Sequence, residues 1–103
     1  MIVVIADEAG KDLGDIGDYI SQSDPGRAVT FIDEIVGRCF ALSSMPYRYA
    51  VLPRYKRQGI RHFPHGRYVV YYRIDAERIE IVRILHSARD HSAILAFDDE
   101  DGI

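Results

Sequence analysis

Cysteine occurs once in the 103 residues, at Cys39, so no intrachain disulfide can form and a disulfide-stapled secreted module is excluded. Long apolar runs are missing too. The longest, such as Ile2 to Ala6 and Tyr68 to Tyr72, reach about five residues, where a membrane-crossing helix needs about twenty. The opening MIVVIADEAG lacks both the basic start and the long apolar stretch of a secretory leader, which makes the cytoplasm the expected location. No phosphate-cradling glycine loop is present, since Gly14, Gly17 and Gly37 fall within helical patterns. Nor does any internal repeat or low-complexity linker divide the chain.

What remains is ordinary globular composition, 48% apolar and 28% charged, enough for one modest core and a thin stability margin. The net charge of -3 conceals a partition. Residues 1–47 carry 3 basic and 8 acidic groups, residues 48–91 carry 10 and 4, and residues 92–103 carry 0 and 4. Lys56 is the one lysine of the basic stretch; the rest are Arg48, Arg54, Arg57, Arg61, Arg67, Arg73, Arg78, Arg83 and Arg89. Arginine suits phosphate and carboxylate because its planar fork donates twice, although a solvated arginine face has the same composition.

Periodicity orders the elements. Residues 2–5 are a β-branched run, and Asp7 is placed to cap a helix whose apolar positions Ala9, Leu13, Ile16 and Ile20 are spaced four, three, four. Lys11, Asp12, Asp15 and Asp18 fall on its charged side. Asp24-Pro25 restarts a helix, with Asp as cap and proline at the first helical position. Its stripe runs through Ala28, Ile32, Ile35, Cys39 and Leu42, and Gly37 weakens it by about 1 kcal/mol relative to alanine. A short connection makes the two helices an antiparallel hairpin.

Met45 to Arg57 reads as an irregular surface loop, with Pro46 and Pro53 among tyrosines and arginines. Strands follow at 60–63, 68–74 and 78–85, a β-meander turning at Pro64-His65-Gly66 and at 75–77. Strict alternation in the last strand groups Ile79, Ile81 and Leu85 with Arg83, and Val82 and Ile84 with Arg78 and Glu80, so both faces are expected to be partly covered. A short helix is expected from Asp90 to Phe97, ahead of an acidic tail at 98–103.

In this order the residues resemble the ParE branch of the RelE/ParE toxin superfamily of type II toxin–antitoxin systems. The resemblance rests on Ala9-x-x-Asp12-Leu13-x-x-Ile16-x-x-Tyr19-Ile20, Pro25-x-x-Ala28-x-x-Phe31-x-x-x-Ile35, and Leu42-x-x-x-Pro46. Arg61, the strand Tyr68-Val69-Val70-Tyr71-Tyr72 and the closing segment Ile84-Leu85-His86-Ser87-Ala88-Arg89-Asp90 complete it. It implies an α+β domain over residues 1–97, β-α-α-β-β-β with a short C-terminal helix, in which the helical hairpin packs on an antiparallel sheet.

It further implies a small toxin, in a hetero-oligomer with a cognate antitoxin that wraps around it, serving plasmid or locus maintenance. ParE-type members inhibit DNA gyrase, whereas RelE-type members share the fold and cut messenger RNA on the ribosome. Fold alone does not choose between them. A RelE-type cleft resembles a lysine- and arginine-rich site completed by a late tyrosine; here no tyrosine follows Tyr72 and no lysine follows Lys56. The expectation is therefore a binding protein with no catalytic residues, no cofactor and no metal.

Were it a nuclease, Arg61, His86 and Arg89 would be its catalytic candidates, with His91 also able to titrate, and Arg61, Arg83 and Arg89 converging on a phosphate. Otherwise Asp90 caps the last helix and Arg89 pairs with a carboxylate of the acidic first helix. Tyr49, Arg54, Tyr55, Arg57, Arg61, Arg83 and Arg89 are the candidate antitoxin- or target-binding residues, since interleaved tyrosine and arginine suit either a protein interface or nucleic acid. His62-x-x-His65 with His86 and His91 superficially suggests zinc, but Pro64 and a strand end separate the first pair.

Overall fold

The computed structural model describes residues 1–95. The expected helical residues 96 and 97 and the acidic tail 98–103 lie outside them. Strand β1 (Ile2–Ile5) leads into α1 (Asp7–Ser21) and α2 (Pro25–Ala41); after a loop with a 3-10 turn at Pro53–Tyr55 come β2 (Arg61–His65), β3 (Tyr68–Asp75), β4 (Arg78–His86) and α3 (His91–Leu95). The sheet order is β1-β4-β3-β2. The meander is antiparallel, but β1 lies parallel to β4, with Ile2 opposite Arg78 and Ile5 opposite Ile81, so the sheet is mixed rather than wholly antiparallel. That pairing makes β4 a central strand and explains why neither of its faces is polar.

The helix starts differ in mechanism. Asp24 caps α2 as its residue type predicts, its side chain accepting from the Arg27 amide at 3.0 Å. Asp7 does not cap α1: Ala6 holds the cap position with no side-chain bond, and Asp7 lies inside the first turn, where its charge complements the helix dipole. Asp12 also departs from expectation. It faces inward, 7% exposed, beside Ala9 and Ile16 rather than on the charged side.

Two apolar clusters sandwich the sheet. On the helix side Ile16, Phe31, Ile35 and Cys39 meet Phe63, Val70, Tyr72, Ile79, Ile81 and Ile84. On the other face Tyr71 and Leu85 meet Tyr55, Ile60 and Leu95. The register between β3 and β4 shifts at Tyr71/Tyr72, so Tyr71 opposes Arg83 while Tyr72 opposes Ile81. The extra residue, Val82, changes the phase of β4. Ile84 therefore joins Ile79 and Ile81 under the helices, and Leu85, which strict alternation grouped with them, turns to the opposite cluster.

Gly66 makes the β2–β3 turn at φ +58°, and a Cβ there would stand 3.2 Å from Phe31 Cε1. Both the left-handed backbone and the close approach of α2 call for glycine. The 43–60 loop is irregular as expected, yet it does more than cross the surface. The Leu52 amide donates to the Ile60 carbonyl at 2.8 Å, closing a knob that drives Tyr55 and Ile60 into the second cluster.

Candidate functional site

A groove of about 300 Å³ opens between α1 and the sheet. Asp12, Asp15, Ile16 and Tyr19 supply one wall, because spacings of three and four put them on one side of α1. Tyr68 of β3, Ile84 and His86 of β4, and Arg89 beyond it supply the other. Its floor is fixed by a buried ion pair. Arg83 Nε and Nη2 donate to Asp12 Oδ2 and Oδ1 at 2.8 and 2.9 Å, and the Ile84 amide donates to Oδ2 at 2.9 Å. The hydrogen bonds to the Asp12 carboxylate push the Arg83 pKa further up, so the guanidinium stays charged.

At the mouth, the His86 ring stands edge-on to Tyr68 with centroids 5.2 Å apart, and its Nδ1 accepts the Ala88 amide at 3.1 Å. Burial raises the Tyr68 pKa, keeping that phenol neutral. Arg89 is exposed and makes no ion pair with a described carboxylate; the partner on α1 expected for it is taken by Arg83, which leaves the strand directly over the helix. Asp90 does cap α3, accepting from the Ala93 amide at 3.3 Å and the Ser92 hydroxyl at 2.8 Å. Those two bonds, the hydroxyl's first, hold its carboxyl below the usual range.

The groups expected to converge on a phosphate do not. Arg61 belongs to the edge strand β2, its Nη1 donating to the Tyr49 carbonyl and its guanidinium 5.1 Å from the Tyr47 ring centroid. His91 lies on the other face of the sheet. Its Nε2 donates to the His86 carbonyl at 2.7 Å, which leaves Nδ1 to accept the Tyr71 hydroxyl. His62 stacks on Tyr71 in that same layer, whereas His65 touches Phe31 of α2, so the two point to opposite faces. Among the described residues no three His, Cys, Asp or Glu side chains come together as a metal set.

Of the remaining tyrosines and arginines, Tyr55 is 4% exposed, an anchor of the second cluster rather than a surface contact. Tyr49 stacks on Phe63 at 4.8 Å and its hydroxyl accepts from Arg38. Arg54 and Arg57 are exposed on the knob, with Arg54 over the Tyr55 ring at 5.7 Å. Sequence reasoning passed over Arg38. From α2 it donates to the Pro64 carbonyl at 2.8 Å, His65 Nδ1 at 3.0 Å and the Tyr49 hydroxyl at 3.0 Å, and covers the Phe63 ring at 4.5 Å. Nothing local marks such a residue, because all its partners lie eleven or more positions away.

This ordered frame has known counterparts. A family model described as the ParE toxin of type II toxin–antitoxin systems, parDE, matches residues 3–91. The chain belongs to the ParE toxin family. Solved structures similar to this ParE-family chain include a chromosomal ParDE toxin–antitoxin system from P. aeruginosa, at 22% identity and TM-score 0.68, covering 84% of this chain and 95% of that one. Another is the RelBE2 toxin–antitoxin complex from Mycobacterium tuberculosis, at 27% identity and TM-score 0.60, covering 82% and 95%. No functionally curated protein matches the sequence. No helix of the described ParE-family fold is long and apolar enough to cross a membrane.

Proposed function

We propose that this ParE-family toxin acts by binding rather than by chemistry, with DNA gyrase as its target in plasmid or locus maintenance, and that a cognate antitoxin silences it in the cytoplasm as a hetero-oligomer. The observation that carries the binding reading is how the ionisable groups are committed. Metal-free RNA cleavage needs a base, an acid and free cations around one phosphate. Here Asp12 neutralises Arg83, a loop carbonyl holds Arg61, and His91 is bonded at both ring nitrogens on the far face of the sheet.

The groove supports the antitoxin half of the reading. Ile16, Ile84, Tyr19 and Tyr68 offer apolar and aromatic contact to an amphipathic helix, with Arg89 at the rim for a carboxylate. Strand addition has one favourable edge. The β2 edge is blunted by Pro64 and by the Val51–Arg61 bridge, whereas among the described residues β1 is paired only on its β4 side. Arg89→Ala with Tyr19→Ala should weaken the antitoxin complex tenfold or more, read by titration calorimetry, and an unchanged dissociation constant would take the groove out of the interface.

The deciding experiment titrates the protein into purified gyrase during supercoiling, beside translation-coupled cleavage of messenger RNA. Loss of supercoiling with intact message is the expected result. Cut message with active gyrase would overturn it in favour of a ribosome-dependent endonuclease using His86 and Arg89, and silence in both assays would indicate a chain that only binds antitoxin.

A further inference from the structure

From Ile35 to Ile74 the sequence contains no carboxylate, yet it carries Arg38, Arg48, Arg54, Lys56, Arg57, Arg61, Arg67 and Arg73. Inside the fold Arg73 is paired with Glu80 and Arg38 clasps β2 to α2. Arg67 stands in the turn between β2 and β3. Arg48, Arg54, Lys56 and Arg61, with Arg57 among them in the chain, belong to one structural unit. The Val51–Arg61 bridge and the Leu52–Ile60 hydrogen bond close this knob, and buried Tyr55 fixes it to the sheet. Arg48, Lys56 and Arg61 make no ion pair with a described carboxylate. Arg54 lowers the Asp90 pKa, but less than the hydrogen bonds from Ser92 and Ala93 do.

Tyr47 separates this surface from a merely solvated basic patch. Tyr49 and Tyr55 are tucked into the fold, but Tyr47 is 64% exposed, with the Arg61 guanidinium 5.1 Å from its ring centroid. A flat aromatic ring backed by a cation and flanked by Arg48 offers a stacking platform beside phosphate-binding charges. We propose that the knob of residues 47–61 binds single-stranded nucleic acid, with Tyr47, backed by Arg61, stacking a base and Arg48, Arg54 and Lys56 contacting the phosphodiester backbone. This surface lies outside the α1 groove and does not depend on gyrase being the target. The acidic α1 and the net charge of -3 repel a polyanion elsewhere, so contact is confined to a few nucleotides at the knob.

The test is fluorescence anisotropy of the full chain with a labelled mixed-sequence 12-nucleotide single strand, its duplex and a poly-glutamate competitor. Micromolar binding of the single strand at 50 mM salt is expected. Three phosphate contacts would weaken it roughly 20-fold by 200 mM salt. Tyr47→Ala should weaken binding about tenfold without changing the salt slope, and Tyr47→Phe should restore it. Arg48→Gln with Lys56→Gln should instead flatten the slope by about 1.4 units. Circular dichroism checks that each variant is folded. No binding at 50 mM salt overturns the proposal. So does duplex binding as tight as single-strand binding with Tyr47→Ala indifferent. Displacement by poly-glutamate at equal charge would reassign the knob to an acidic protein segment.

Discussion

Asp12 is the one charged residue that the fold buries among the described residues. Its two carboxylate oxygens take two guanidinium donors and one backbone amide, at a site 7% exposed. Asp12→Ala would strand both the Arg83 charge and the Ile84 amide, costing about 3 kcal/mol or more. Adding Arg83→Leu should recover part of that loss, because the buried charge leaves with its partner. Urea unfolding measures both; a single variant within about 1 kcal/mol of wild type would mean that the pair is not closed in solution. The sequence contains both partners but not the pairing. They stand 71 positions apart, and helical periodicity placed Asp12 among solvated charges while Arg83 read as a phosphate ligand. His62 presents the opposite case. Among the described residues its Nδ1 is buried without a partner while its ring stacks on Tyr71, so His62→Phe keeps the stacking, removes the orphaned nitrogen and should raise the melting temperature at pH 7.

At the scale of elements, what was legible is what local chemistry controls. Asp24-Pro25 starts α2 because both residues act within one turn, and the four-three stripes of α1 and α2 are the stripes that pack. The parallel docking of β1 on β4 was not legible, because it joins segments separated by most of the chain; the mixed faces of β4 were its only trace. The phase change at Val82 was equally silent, since a bulge adds a residue without a distinctive residue type. The groove was half legible: Tyr19, Ile16 and His86 stood in the quoted motifs, but only the fold brings them to one cleft. Helix α2 also offers a direct test. Gly37 lies in its interior, exposed, and a Cβ there meets nothing within 4 Å. Gly37→Ala should therefore stabilise the protein by up to about 1 kcal/mol. A lower midpoint in thermal or urea unfolding would show that the position is confined.

For the whole molecule, pH acts through two half-buried histidines. Burial lowers the His62 pKa, and burial together with the Arg38 charge lowers that of His65, the weaker pull of Glu34 not offsetting them. Arg38 donates to His65 Nδ1, so the folded clasp between α2 and β2 is built on a neutral imidazole. Unfolding frees both rings to titrate near their ordinary value of 6.5. As pH falls through that value the unfolded chain binds protons the native one refuses, and stability is lost on the acid side. Glu34, held low first by its hydrogen bond from Arg27, adds a loss in the same direction, but only as pH drops below the ordinary carboxyl value of 4.5. The two windows separate the causes. Between pH 7.5 and 5 the melting temperature should fall, unfolding should take up protons, and His62→Phe with His65→Gln should flatten the profile; below pH 4.5 the same variant should still lose stability. A wild-type profile flat from pH 7.5 to 5 would mean that both imidazoles accept protons in place, and that the Arg38 clasp tolerates a second positive charge against it.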